Sequence, residues 1–231
     1  MMDSPAKWVR GALLAMSALA LPVAAQAELV LSQLVVDLAP GAQQRADIEV
    51  WNSSEERAYV ATEPSEILEA GRPGESRIVE VDPEKRGLLV SPSRMILEPG
   101  QRRLIRIVPM GPRGPRERVY RVTVKPVAGE LSAQDSGLKL LIGYDVLVLL
   151  RAADARPDVT AVRSGKRLTL RNAGAASVEL LDGKQCDAAK HCVELPGKRL
   201  YAGAEWSQEL GSEAPVDYTV VSAGQSSRTT F

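Results

Sequence analysis

The stretch Leu138–Leu150, LKLLIGYDVLVLL, decides how the rest of the chain is interpreted. Its even-numbered positions are all apolar, namely Leu138, Leu140, Ile142, Tyr144, Val146, Val148 and Leu150. Apolar residues at a period of two predict a β-strand with one continuous hydrophobic face. An average strand has about five or six residues, so this one is roughly twice as long as its own sheet needs. We therefore predict a strand that extends past its sheet and leaves an excess in need of a partner.

The chain of 231 residues begins with an export signal. Lys7 and Arg10 form a basic region, Gly11–Val23 is apolar, and Ala25–Ala27 is a small-residue cleavage motif. This order is typical of a secretory signal peptide, so we expect the mature chain to start at Glu28. A membrane anchor is the alternative, and the short apolar run ending in small residues disfavours it.

Composition narrows the function classes. The formal net charge is zero, which gives no indication of a nucleic-acid partner. The two cysteines, Cys186 and Cys192, are predicted to form one disulfide after export to an oxidising compartment. His191 is the sole histidine and lies between them without further ligands, so we expect neither a metal site nor a cofactor. One histidine also excludes most nucleophile–base arrangements, so we predict that the chain is not an enzyme.

Short alternating segments separated by turn residues predict an all-β chain made of antiparallel sandwiches. The predicted strands before the long stretch are Leu29–Leu38, Arg45–Trp51, Ala58–Glu63, Leu88–Val90, Arg94–Leu97, Arg102–Val108 and Arg118–Val124. Glu66–Val81 is predicted as a loop with weak strand edges. We place an N-terminal domain at 28–150, a linker at 151–157 and a C-terminal β-sandwich domain at 158–231, after the signal peptide at 1–27.

Several segments, in their order along the chain, resemble the periplasmic chaperones of the chaperone–usher pathway, which assemble pili. The segments that carry the resemblance are Val50–Pro64 (VWNSSEERAYVATEP), Leu88–Pro109 (LLVSPSRMILEPGQRRLIRIVP), Tyr120–Val127 (YRVTVKPV), Leu138–Arg151, Asp182–Cys186 (DGKQC) and Leu195–Gly203 (LPGKRLYAG). No single motif is decisive, but their order and the export signal together cover nearly the whole mature chain.

The resemblance implies two immunoglobulin-like domains in an L arrangement with a cleft. It also implies a function, because a pilus subunit is an incomplete sandwich that lacks its last strand. Such a chaperone lends its long seventh strand to the subunit and delivers it to an outer-membrane usher. In this sequence the lent residues, called the donor strand, would be Leu138, Leu140, Ile142 and Tyr144. Val146–Leu150 would belong to the core of the first domain.

The residues that hold the subunit's C-terminal carboxylate are where this chain departs from the better known members. Those members use a first-strand arginine and a late seventh-strand lysine, where this chain has Gln33 and Leu147. The chain looks closer to the alternative and archaic branches. By that likeness the anchors would be Arg106 and Lys139, since a carboxylate favours charge-assisted hydrogen bonds. Arg103 and Lys125 are the other candidates.

The expected partners are pilus subunits lacking their last strand and an outer-membrane usher, in the periplasm and without membrane insertion. An exposed donor strand also leaves self-association of the chain open. The alternative function is a secreted immunoglobulin-like pilus subunit or adhesin. A subunit should lack its seventh strand, whereas here that strand is complete and overlong.

Overall fold

The computed structural model describes residues 29–41, 44–127 and 141–231. Leu138, Lys139 and Leu140, and the predicted signal peptide, lie outside the described residues. Across the described part, no helix has the length and hydropathy of a transmembrane span. Strands dominate, as the alternation predicts, and they form four sheets arranged around two hydrophobic cores.

The first core lies between two sheets of the N-terminal half. Sheet A has the order β1 (Leu29–Leu31), β3 (Ala46–Asn52), β8 (Arg102–Pro109), β6 (Leu88–Ser91). Sheet B has the order β2 (Val35–Leu38), β10 (Tyr144–Leu150), β9 (Arg118–Val127), β4 (Ala58–Leu68), β5 (Ser76–Ile78), and β7 (Arg94–Leu97) also pairs with β4. The short helix α1 (Pro83–Arg86) precedes β6.

The second core lies between two sheets of the C-terminal half. One sheet has the order β11 (Val159–Ser164), β12 (Arg167–Asn172), β16 (Glu205–Glu209). The other has the order β14 (Cys192–Leu195), β13 (Val178–Cys186), β17 (Val216–Ser222), β18 (Gln225–Thr230), with β15 (Lys198–Leu200) also on β13. The predicted disulfide is present between Cys186 and Cys192, which are register partners of the β13–β14 hairpin.

The segment Leu29–Leu38 is not the single strand that its composition predicts. Its first part, β1, pairs with β3 in sheet A, and its second part, β2, pairs with β10 in sheet B. The buried positions change from odd-numbered Leu29 to even-numbered Val36 and Leu38. Two facing sheets present opposite sides to a shared core, so a chain that crosses between them must change the parity of its buried residues.

The predicted end of a strand at Pro64 is also wrong, because β4 continues through Pro64 to Leu68 and pairs with β9 along that length. The predicted loop Glu66–Val81 therefore contains the end of β4 and all of β5. Proline lacks only one hydrogen-bond donor, and at Pro64 that donor is not needed because β4 pairs there with β9 alone. Its pairing with β7 ends at Ala61 and its pairing with β5 begins at Glu66.

Arg151 joins the two sandwiches. Its side chain is only 5% exposed and forms ion pairs with Asp37 and with Glu117, whose side chain is 1% exposed. It also donates to the backbone oxygen of Ser177 in the second sandwich at 3.0 Å. A third apolar cluster lies beside it, in which Leu147 and Leu149 of β10 pack with Tyr201 of the second sandwich. The C-terminal end of β10 is therefore fixed by both halves of the molecule.

We predict that Arg151→Met lowers the free energy of unfolding by about 3–5 kcal/mol, because Glu117 would be left buried without its partner. Urea denaturation followed by circular dichroism measures this change. The control is Arg167→Met, which breaks the Arg167–Glu209 ion pair, in which each side chain is 63% exposed. That variant should lose less than about 1 kcal/mol. Equal losses in the two variants would contradict a special role for Arg151.

Candidate functional site

Strand β10 has two neighbours along one half of its length and one along the other. It pairs antiparallel with β9 from Tyr144 to Leu150. It pairs parallel with β2 only from Leu147 to Leu150. Among the described residues, no strand pairs with Tyr144–Val146 on the β2 side. We call this side of β10, N-terminal to Leu147, the open edge.

The crossover of the chain from β1 to β2 creates the open edge. Because β1 pairs with β3 of the facing sheet, the chain reaches sheet B only at β2. The backbone N–H of Leu147 donates to the oxygen of Leu34 at 2.9 Å, and that of Arg151 to the oxygen of Leu38 at 3.2 Å. The odd-numbered residues of β10 thus direct their backbone groups towards β2. The same alternation directs the backbone groups of Asp145 at the open edge.

The even-numbered side chains show where this stretch stops packing into the core of its own domain. Val146, Val148 and Leu150 are buried in the first core, as predicted. Tyr144 packs against the same core, and its hydroxyl donates to the backbone oxygen of Leu29 at 2.7 Å. Ile142 lies just before the strand and is 55% exposed. Of the predicted donor residues that are described, Tyr144 is therefore held by its own domain, whereas more than half of the Ile142 surface is exposed.

The opposite face of β10 carries an unusual acidic residue, Asp145. Its carboxylate accepts from Nη2 of Arg77 at 2.6 Å and from Oγ1 of Thr123 at 2.9 Å. Nε of Arg121 lies 3.9 Å from the same carboxylate. Burial acts to raise the pKa of Asp145, but the hydrogen bonds from Arg77 and Thr123 outweigh it and hold that pKa below its ordinary value. The carboxylate is therefore ionised at neutral pH and paired.

The predicted anchor Arg106 lies on the outer face of sheet A. It forms two hydrogen bonds with the carboxylate of Asp47, at 2.8 and 3.0 Å. This hydrogen bonding holds the pKa of Asp47 below its ordinary value. Arg106 also lines a surface depression of about 920 Å³, and Gln33 lines the same depression. The structure thus brings together the predicted anchor Arg106 and the first-strand residue Gln33.

The other anchor candidates are less informative. Lys139 lies outside the described residues. Arg103 is exposed on β8, and Lys125 forms an ion pair with Glu63 at 2.8 Å. No group of three or more His, Cys, Asp or Glu residues in the described part could hold a metal ion.

Sequence reasoning missed two basic residues beside the open edge, Arg77 and Arg121. Arg121 is the cross-strand partner of Leu147. Alternation in Arg118–Val127 places Arg121 on the solvent side of its strand. The register that puts it opposite Leu147, however, cannot be derived from sequence. Arg77 lies in a segment that was predicted as a loop.

Comparison with solved structures identifies the fold. Neither a scan against protein-family models nor a search of curated proteins finds a match. The class 5 fimbriae chaperone CfaA matches with a TM-score of 0.66 and 20% identity, over 87% of this chain and 98% of that one. SafB, solved in complex with the SafA pilin of Salmonella enterica, matches with a TM-score of 0.63 and 18% identity, over 89% and 96%.

A third solved structure extends the comparison to the archaic branch. The CsuC–CsuE chaperone–tip adhesion subunit complex of Acinetobacter baumannii matches with a TM-score of 0.60 and 11% identity, over 88% of this chain and 98% of that one. The chain therefore has the two-domain immunoglobulin-like fold of the pilus chaperones, as the sequence predicts. The resemblance stated from sequence is confirmed for the fold.

We predict that Arg77→Met raises the pKa of Asp145, because burial of the carboxylate remains while its strongest hydrogen bond is lost. In the unmodified chain a depressed pKa stabilises the fold above the unfolded-state value of about 3.9, and the effect is lost as the pH falls through the folded-state value. An NMR titration of the Asp145 carboxyl carbon measures the shift. Arg102→Met, which breaks the separate Arg102–Glu49 pair, should leave it unchanged. An unaltered Asp145 titration in Arg77→Met would contradict the assignment.

Proposed function

We propose that this chain is a periplasmic chaperone that binds pilus subunits by donor-strand complementation and delivers them to an outer-membrane usher. The observation that carries the proposal is the open edge of β10, where the described residues before Leu147 have a partner strand on the β9 side alone. The exposed Ile142 immediately before the strand supports it. So does the fold, which the chain shares with chaperones solved in complex with pilus and adhesin subunits.

The proposed mechanism follows from the alternation along the strand. Odd-numbered residues before Leu147 would offer backbone N–H and C=O groups to a strand of the subunit, which gives affinity. Even-numbered side chains would enter the groove left by the missing strand of the subunit. Ile142, Leu140 and Leu138 continue the parity of the buried Val146 and Val148. Each such side chain contributes about 1.5–3 kcal/mol when it is fully buried.

A subunit that lacks a strand exposes an apolar groove and unpaired strand edges, and both promote aggregation. A chaperone that fills the groove must itself resist displacement when the subunit pulls on its strand. Here β10 is held at its C-terminal end by β9, by β2 and by the buried ion pairs of Arg151. Among the described residues, β10 is paired on both sides at its C-terminal end and on the β9 side alone at its N-terminal end. Such a strand suits temporary insertion, followed by exchange at the usher without any enzymatic step.

We keep Arg106 and Lys139 as the proposed anchors of the subunit's C-terminal carboxylate. The depression that Arg106 shares with Gln33 supports the first of them. Because Asp47 already engages Nε and Nη2 of this guanidinium, a bound carboxylate would have to use Nη1 or displace Asp47. The alternative function, a pilus subunit or adhesin, is disfavoured by the presence of β10 in the first core.

We predict that Ile142→Asp abolishes the protection of pilus subunits and leaves the chaperone folded. The side chain is 55% exposed in the free chain, so its replacement should change the free energy of unfolding by less than about 0.5 kcal/mol. The assay co-expresses each variant in the periplasm with single pilus subunits from the same genome and counts purified 1:1 complexes. Val162→Asp is the matched control, since Val162 is 66% exposed on β11 of the second sandwich. Complexes that persist in Ile142→Asp would refute the donor-strand assignment.

We further predict that Arg106→Ala and Lys139→Ala each weaken subunit capture by about 10-fold or more, because each removes a charge-assisted hydrogen bond to a carboxylate. Titration of a purified subunit, measured by surface plasmon resonance, gives the dissociation constants. The matched control is Arg102→Ala, which removes another exposed arginine of β8 that pairs with Glu49. Unchanged affinity in both anchor variants would remove these residues from the site.

A further inference from the structure

The Asp145 cluster links four neighbouring strands of sheet B. Arg77, on the outermost strand β5, reaches over β4 and β9 to Asp145 on β10. On the way its Nε donates to Oγ of Ser65 at 2.7 Å and its Nη2 donates to Oγ1 of Thr123 at 3.0 Å. Thr123 is also the register partner of Asp145. Four polar side chains thus form one transverse line of hydrogen bonds.

A second arginine, Arg121, forms a hydrogen bond with a backbone carbonyl at the open edge. Nη1 of Arg121 donates to the backbone oxygen of Asp145 at 3.2 Å. The alternation set by Leu147 and Arg151 directs that oxygen towards the open edge. The carbonyl of Asp145, where the pairing with β2 stops, is therefore already engaged by this chain. The backbone groups further towards the N-terminus are the ones left for another strand.

Stability does not account for this arrangement. The side chains of Arg77 and Asp145 are 42% and 43% exposed, and ion pairs with such exposure contribute little to folding. The cluster lies instead where β10 changes from two neighbours to one. Asp145 therefore lies at the boundary between two parts of β10. The part after it pairs with β2 of the same chain, and the part before it is proposed to pair with a pilus subunit.

Hydrophobic alternation alone cannot fix how a client strand aligns with β10. A slip by one residue would turn the apolar side chains away from the groove, but a slip by two keeps them on the same face. Because Leu138, Leu140 and Ile142 are similar in size and spaced by two, the apolar pattern accepts registers that differ by two residues. Polar groups must therefore distinguish one register of the client strand from another.

We propose that Arg77, Asp145 and Arg121 set the register of the client strand by ending its pairing with β10 at Asp145. This proposal rests on the proposed function. Asp145 and Arg121 mark the last position, and Arg77 is a positioning residue that acts by holding the Asp145 carboxylate. The cluster therefore specifies alignment, while the apolar side chains provide the affinity.

Disulfide trapping tests the proposal with the pilus subunit that the unmodified chain captures. Leu141→Cys is introduced into the chaperone, and single cysteines are placed at successive positions along the subunit strand that borders its groove. Mass spectrometry then identifies which positions form the bond. We expect one dominant position in the otherwise unmodified chain. In Asp145→Asn, Arg77→Met and Arg121→Met we expect a second position, two residues away, at comparable yield, with affinity reduced by no more than about fivefold.

The matched control is Glu49→Gln, which breaks the Arg102–Glu49 pair on sheet A. This variant should still form the disulfide bond at the one dominant subunit position. Thermal unfolding verifies that each variant is folded. Arg77→Lys, which keeps the charge, should restore part of the disulfide yield at the dominant subunit position. A single unchanged position in all three cluster variants would overturn the register proposal and leave the proposed function standing. An unmodified chain that captures no subunit would overturn both.

Discussion

The open edge of β10, where no described strand pairs on the β2 side before Leu147, is the constraint on which the rest of the structure depends. A strand edge that offers free N–H and C=O groups is a liability in any soluble protein, because it invites pairing with other chains. Here the edge arises from the way the chain enters the sandwich, since β1 and β2 belong to different sheets. Filling the whole edge would require only that the first strand stay in sheet B. The fold leaves it open instead.

The contacts of its C-terminal half hold β10 in place despite the open edge. The C-terminal half of β10 lies between two strands, its even-numbered side chains are buried in the first core, and Leu147 and Leu149 pack in the cluster shared with Tyr201. The buried Arg151 then ties the end of the strand to the second sandwich. One end of the strand is therefore rigid, and that rigidity is what a donated segment needs when it is inserted into another protein.

Much of this could be predicted from the sequence, because period-two alternation and turn residues respond to local physics. The apolar parity of Leu138–Leu150 predicts the buried face of β10, and two cysteines in a chain with a predicted export signal predict the disulfide. The division of Leu29–Leu38 could not be predicted from alternation, because apolar residues occupy both odd and even positions in Leu29–Leu31 and in Leu34–Val36. That Asp145 pairs with an arginine could be predicted, because buried acids are rarely unpaired. Its partners could not, because they depend on the register that brings Arg77 and Thr123 to one point. Solved structures with 11–20% identity share the fold, and a fold does not specify which side chains carry the recognition.

Amide hydrogen exchange on the complex with a captured pilus subunit tests the central claim most directly. The account predicts that the amides of Leu141 and Gly143 exchange rapidly in the free chain and become strongly protected in the complex, because a subunit strand then pairs with the open edge. The amides of Val148 and Leu150 should be protected in both states. Unchanged exchange at Leu141 and Gly143, with new protection on another surface, would contradict the account.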